Sequence, residues 1–140
     1  MSTATLAQTI AQITEEACTK KVAAERVISD FPIGKVARQG DIYICRVDAA
    51  HPHGGPLENR QLAQGTSKGS RHIAEGVGTT VYEGTTAPPQ AVATPFLGPC
   101  VQSDVEFRIS HPEHADVIVP AGTYQITHQM DARTLRRVQD

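Results

Sequence analysis

The first 31 residues contain no glycine or proline, whereas all eleven glycines and all nine prolines fall between Pro32 and Gly122. That division constrains the fold more than any other feature, because Gly and Pro break helices and strands and shape turns. The uninterrupted part is expected to be a helix over residues 3–29. Its apolar positions Leu6, Ile10, Ile13, Ala17, Ala24 and Val27 step by fours and threes, with Lys20 standing where one more apolar residue is due. Ser2 or Thr3 would cap it, and at 1.5 Å per residue it would be about 40 Å long. Such a helix either packs on the protein's own sheet or pairs with a second copy through a narrow seam. Those six apolar residues are the candidate interface.

Beyond Pro32 the chain reads as short strands between breaks. "DIYICRV" (41–47) is rich in β-branched and aromatic residues. "SRHIAEG" and "TTVYEG" are short strand candidates, while "AAHPHGGPLENR" and "TTAPPQAVATPFLGP" read as loops. "VEFRI" alternates, with Val105, Phe107 and Ile109 on one face. "ADVIV" and "TYQITHQM" flank "PAG", whose Pro120, Ala121 and Gly122 suit a tight turn and predict a β-hairpin. "DARTLRRVQD" predicts a short terminal helix capped by Asp131. The expectation is an α+β, mainly β chain. A long N-terminal helix (1–30) precedes one compact, mostly antiparallel β-barrel or sandwich (31–140), which ends in a short C-terminal helix.

Charge and cysteine usage narrow the function. A net charge of −2 over 140 residues argues against a protein that coats nucleic acid. No apolar run reaches the roughly 20 residues of a membrane span. Cys18, Cys45 and Cys100 are few and scattered, which suits a reducing cytoplasm better than a disulfide framework.

"HPEHADVIVPAGTYQITHQ" (111–129) holds three of the six histidines. His111 and His114 point to opposite faces of an extended strand, so they converge only if Pro112 bends the chain. His128 shares the apolar face of its strand with Tyr124 and Ile126. With His72 from "SRHIAEG", these residues are the candidate ligands of a zinc or iron ion. The competing reading is a polar turn whose side chains bond nearby backbone groups. His51 and His53, in a Gly-Pro loop, are read as exposed and incidental.

"GTSKGSRH" (65–72) offers Lys68 and Arg71, with Arg60 nearby, as candidate contacts for a phosphate or other anion. It is not a P-loop, since its Lys is followed by Gly. Hydrolase, metalloprotease and dinucleotide-binding signatures do not occur.

Two resemblances follow from these motifs. "DVIVPAGTYQITH" resembles the second half-motif of the cupins, with Asp116, Pro120, Gly122 and His128 in similar order; it implies a metal held by histidine. It departs in spacing, and no H-x-H half-motif accompanies it. "QGDIYI" (39–44), "RQLAQGTSKGSRHIAEG" (60–76) and "HPEHADVIVPAGTYQITHQMDARTLRRVQD" (111–140) resemble a set of small bacterial and phage-associated hypothetical proteins. That likeness implies one compact domain and supplies no catalytic residue. The leading expectation is therefore a non-catalytic module without cofactor that self-associates or docks to a protein partner. The alternatives are a His-based zinc or iron protein and an anion binder.

Overall fold

A computed structural model describes residues 25–64, 71–89, 96–128, 130–131 and 136–137. Among these residues thirteen strands follow one another: β1 (Arg26–Val27), β2 (Val36–Gln39), β3 (Ile42–Val47), β4 (His53–Leu57), β5 (Gln61–Gln64), β6 (Arg71–Glu75), β7 (Thr79–Gly84), β8 (Phe96–Ser103), β9 (Phe107–Ser110), β10 (Val117–Val119), β11 (Gly122–His128), β12 (Met130–Asp131) and β13 (Arg136–Arg137). They form a five-stranded sheet, β1-β10-β9-β6-β5, a six-stranded sheet, β2-β3-β11-β8-β7-β4, and a small β12-β13 ribbon. All pairings are antiparallel except β1 with β10.

The two large sheets share one core. The six-stranded sheet contributes Ile42, Ile44, Val81, Val101, Tyr124 and Ile126; the other contributes Leu62, Ala74, Phe107, Ile109, Val117 and Val119. Alternation accounts for this: residues 42 and 44, or 124 and 126, lie on one side of their strand. Tyr124 sits at the centre, edge-on to Phe31 at 5.0 Å and to Phe107 at 5.6 Å between ring centroids. This is a β-sandwich held by aliphatic side chains around three aromatic rings.

The helices expected at both ends are corrected. The described residues contain no helix. Arg26 and Val27, inside the expected N-terminal helix, pair instead with Val117 and Ile118; strand partners supplied by the fold override a local 3.6-residue period. Leu6, Ile10, Ile13, Ala17 and Ala24 lie outside the described residues. At the other end, Arg136–Arg137 pairs with Met130–Asp131 as strand.

The turn at "PAG" also differs from expectation. Strands β10 and β11 belong to different sheets, so Pro120–Gly122 is a crossing between sheets and not a hairpin. Tyr124 Oη donates to Pro120 O at 2.8 Å and ties this corner to the strand it feeds. At Gly122 the backbone has φ +155°, and a Cβ there would lie 2.6 Å from Arg46 Cζ. Glycine lets the Arg46 guanidinium settle over the Tyr124 ring, 5.4 Å from its centroid. The true hairpin is β9–β10, which makes "HPEH" its loop. Two further segments expected as loops supply strands, His53–Leu57 and Phe96–Ser103. Val105, expected on the buried face, is 46% exposed.

Candidate functional site

The tight turn Gln39–Gly40–Asp41 joins β2 to β3, with Gln39 paired to Ile42 across it. Gly40, at φ +56°, supplies the left-handed conformation such a turn needs. The turn presents two side chains to one imidazole. His72 Nδ1 lies 2.8 Å from Gln39 Oε1, and His72 Nε2 lies 2.8 Å from Asp41 Oδ1. All three residues are at most 2% exposed.

The protons in this network can be assigned. Gln39 Nε2 donates to the carbonyls of Ile109 and Ala115, each at 2.9 Å. Its Oε1 must therefore accept, so His72 Nδ1 carries hydrogen. One further proton lies between His72 Nε2 and Asp41 Oδ1, as an imidazolium–carboxylate pair or its neutral equivalent. The network spans both sheets: Gln39 and Asp41 come from the six-stranded one, His72 and Ile109 from the five-stranded one.

Two more imidazoles stack on this pair. Strands β6 and β9 pair Ile73 with Ser110, so one step further His72 lies beside His111, with ring centroids 4.4 Å apart. Pro112 bends the chain, and His114 returns to 4.4 Å from His111 and 6.2 Å from His72, almost parallel to the latter at 10°. His111 is buried, and its Nδ1 accepts from Glu113 N–H at 3.0 Å. That bond is the polar-turn geometry anticipated for "HPEH", with a ring nitrogen in the place of an Asx oxygen. His128 ends β11 opposite Ile42, at the same end of the sheet as the Gly40–Asp41 turn. A Cβ on Gly98 would come within 2.8 Å of its Nε2.

Three of the four candidate metal ligands, His72, His111 and His114, are thus in ring contact. Three of their six ring nitrogens have a hydrogen-bond partner in the protein. A ligand nitrogen needs a free lone pair aimed at the ion. Both nitrogens of His72 are engaged, and Nδ1 of His111 faces an N–H. Among the described residues, no group of three or more His, Cys, Asp or Glu is arranged to hold a metal ion. Asp116, the acidic residue of the cupin-like pattern, is bonded by Arg108 Nη1 at 2.5 Å. The same nitrogen reaches Glu25 at 2.6 Å, and both bonds raise the guanidinium's pKa, that to Asp116 most.

Two of the three anion candidates lie among the described residues. Arg60 donates to Gly76 O at 2.9 Å, Arg71 is exposed on β6, and Lys68 lies outside the described residues. Cys45 and Cys100 are buried and free. Burial pushes the Cys100 thiol up to about 11 and raises that of Cys45 despite a bond with Thr127, so neither is an activated nucleophile.

A second buried couple escaped sequence reasoning. His51 Nε2 lies 3.0 Å from Thr86 O and 3.2 Å from Gln125 Oε1. Gln125 is wholly buried on the outer side of its sheet. The sequence signal was there: residues 122–130 contain no charged side chain, as suits a strand covered on both faces.

These features define a two-sheet β-sandwich domain pinned by buried glutamine–histidine couples. A family model described as "Domain of unknown function (DUF8820)" matches residues 38–129, about two thirds of the chain, and the chain belongs to that family. The match spans Gln39, Asp41, His51, His72, His111, His114 and Gln125. Comparison with curated proteins and with solved structures returned no match. No helix among the described residues is long and apolar enough to cross a membrane.

Proposed function

We propose that this domain is a non-catalytic interaction module that self-associates or docks to a protein partner. The observation that carries the reading is the engagement of both His72 nitrogens by Gln39 and Asp41. An imidazole held this way joins two sheets; it is not poised to bind metal or move a substrate proton. The buried, unactivated thiols of Cys45 and Cys100 agree with that, and as free thiols they suit a reducing compartment such as the cytoplasm. The likeness to bacterial and phage-associated proteins supports such an origin.

The contact surface we favour is the edge formed by β1 and β2, each the last strand of its sheet. Arg26 Nη1 donates to Arg38 O and brings the two edges together. Val27, Ile33 and Val36, on or just before these strands, are 63%, 60% and 41% exposed. Uncovered strand edges with apolar side chains favour pairing with another chain. The test is light scattering of the full chain across concentrations, beside a Val27→Lys/Ile33→Lys/Val36→Lys variant. Association that weakens in the variant supports the reading. A monomer at every concentration removes self-association, and metal bound stoichiometrically through His111 and His114 removes the non-catalytic reading itself.

A further inference from the structure

Away from the β1–β2 edge, the fold leaves a second apolar feature in solvent. The turn 76–79 joins β6 to β7 and sets Val77 at its tip, fully exposed, where Gly, Pro, Asn, Asp or Ser is usual. Beside it runs the loop from β8 to β9, whose Val105 is 46% exposed. A Cβ on Gly78 would lie 3.4 Å from Val105 Cγ2, so the two valines belong to one tip. Hydrogen bonds fix its shape. Thr79 N–H donates to Gly76 O at 3.3 Å, Asp104 N–H to Gly78 O at 3.2 Å, and Ser103 Oγ to Val105 O at 2.6 Å. Contact made by a surface held this way costs little ordering entropy.

Charge distinguishes the tip from the edge. Glu75, Asp104 and Glu106 flank the two valines in sequence and are exposed, and none of them is in an ion pair among the described residues. Arg60 also reaches the tip, donating to Gly76 O. At the β1–β2 edge the balance is reversed. Arg26, Lys35 and Arg38 are exposed around Val27, Ile33 and Val36, with Asp30 opposing them and Glu25 already held by Arg108. Arg26 and Lys35 donate to the neutral carbonyls of Arg38 and Asp30, which keeps their charge for a carboxylate from outside. Edge against edge would set cations against cations, whereas tip against edge pairs opposite charges.

We infer that the Val77–Val105 tip of one copy docks on the β1–β2 edge of another. This rests on the self-association proposed above and names what that edge receives. The valines lie against the apolar side chains of the edge, and the carboxylates of the tip face its cations. The apolar contact supplies affinity, and the charges supply orientation. Tip and edge are different surfaces of one chain, so every copy carries both halves of the contact.

The experiment compares four full-length chains by light scattering across concentrations. The tip variant is Val77→Ser/Glu106→Gln and the edge variant is Ile33→Ser/Lys35→Gln; a fourth chain carries all four changes. Every position changed is exposed, and thermal unfolding checks that each variant folds. Either two-site variant alone should need at least about tenfold more protein than the wild type to associate. Their equimolar mixture should recover association, because one chain keeps the edge and the other keeps the tip. The four-change chain should not rescue either of them. The inference is overturned if the tip variant associates as the wild type does, or if the mixture stays monomeric. An impaired edge variant beside an unimpaired tip variant would leave the edge as the contact surface and refute only its occupant. A wild-type chain that is monomeric at every concentration removes self-association and this inference together.

Discussion

His72 Nε2 and Asp41 Oδ1 lie 2.8 Å apart with no more than 2% of either side chain exposed. Each makes the other's burial tolerable, so the pair is more costly to halve than to remove. Asp41→Ala should destabilise the domain by roughly 3–5 kcal/mol, because it removes the partner of a buried imidazole nitrogen. The His72→Leu/Asp41→Ala double variant should lose clearly less than the sum of its two single variants. Urea unfolding of the four proteins measures this, and additive losses below about 1 kcal/mol each would mean that the pair is not holding the sheets together.

The loop 111–114 offers a narrower test. His111 Nδ1 accepts from the N–H two residues on, and an asparagine oxygen can take the same position. His111→Asn should therefore be about 1 kcal/mol more stable than His111→Ala. Equal stabilities would assign the ring's contribution to packing alone.

At the sheet crossing, Tyr124→Phe removes one hydroxyl bond to Pro120 and should cost about 1 kcal/mol. Gly122→Ala should cost more, about 2–3 kcal/mol, since it combines an unfavourable φ with a Cβ pressed into Arg46. Thermal unfolding ranks the two; the reverse order would contradict the close approach of Arg46.

Alkaline stability follows from the buried thiol. Cys100 is raised by burial from 9.0 to about 11, so the unfolded chain loses this proton at lower pH than the folded one. Its contribution is complete below about pH 9, declines as pH rises, and is gone above about pH 11. Burial also raises Cys45 and Tyr124, which act in the same direction at high pH. Denaturant unfolding from pH 7 to 11 should show a plateau and then a fall, and Cys100→Ala should flatten that fall. An unchanged slope in the variant would exclude Cys100 as its source.

Where sequence and structure agree, local pattern was enough. Ile42–Val47, Arg71–Glu75, Thr79–Gly84 and Gly122–His128 carry β-branched or alternating apolar residues, and they are strands. Where they disagree, the deciding contacts are remote. His53–Leu57 contains Gly54, Gly55 and Pro56, poor strand formers that β7 nevertheless pairs. The six-stranded sheet likewise captures Phe96–Ser103 despite Gly98 and Pro99. "QGD", "SRH" and "HPEH" are legible as motifs, but their meeting depends on the β6–β9 register and on a turn in the opposite sheet. His51 was misread because its partner, Gln125, lies 74 positions away.

The position of β11 bears on how the chain is made. It lies between β3 and β8 in the six-stranded sheet, yet it is the last strand of the two large sheets to be synthesised among the described residues. Until Gly122–His128 leaves the ribosome, the β2–β3 hairpin and the β4–β7–β8 group are two fragments with no strand to join them. Gln39 waits for the carbonyls of Ile109 and Ala115, which lie 70 and 76 positions downstream. Folding of this domain thus waits for β11, and a nascent chain stopped before residue 122 has no route to the native sandwich.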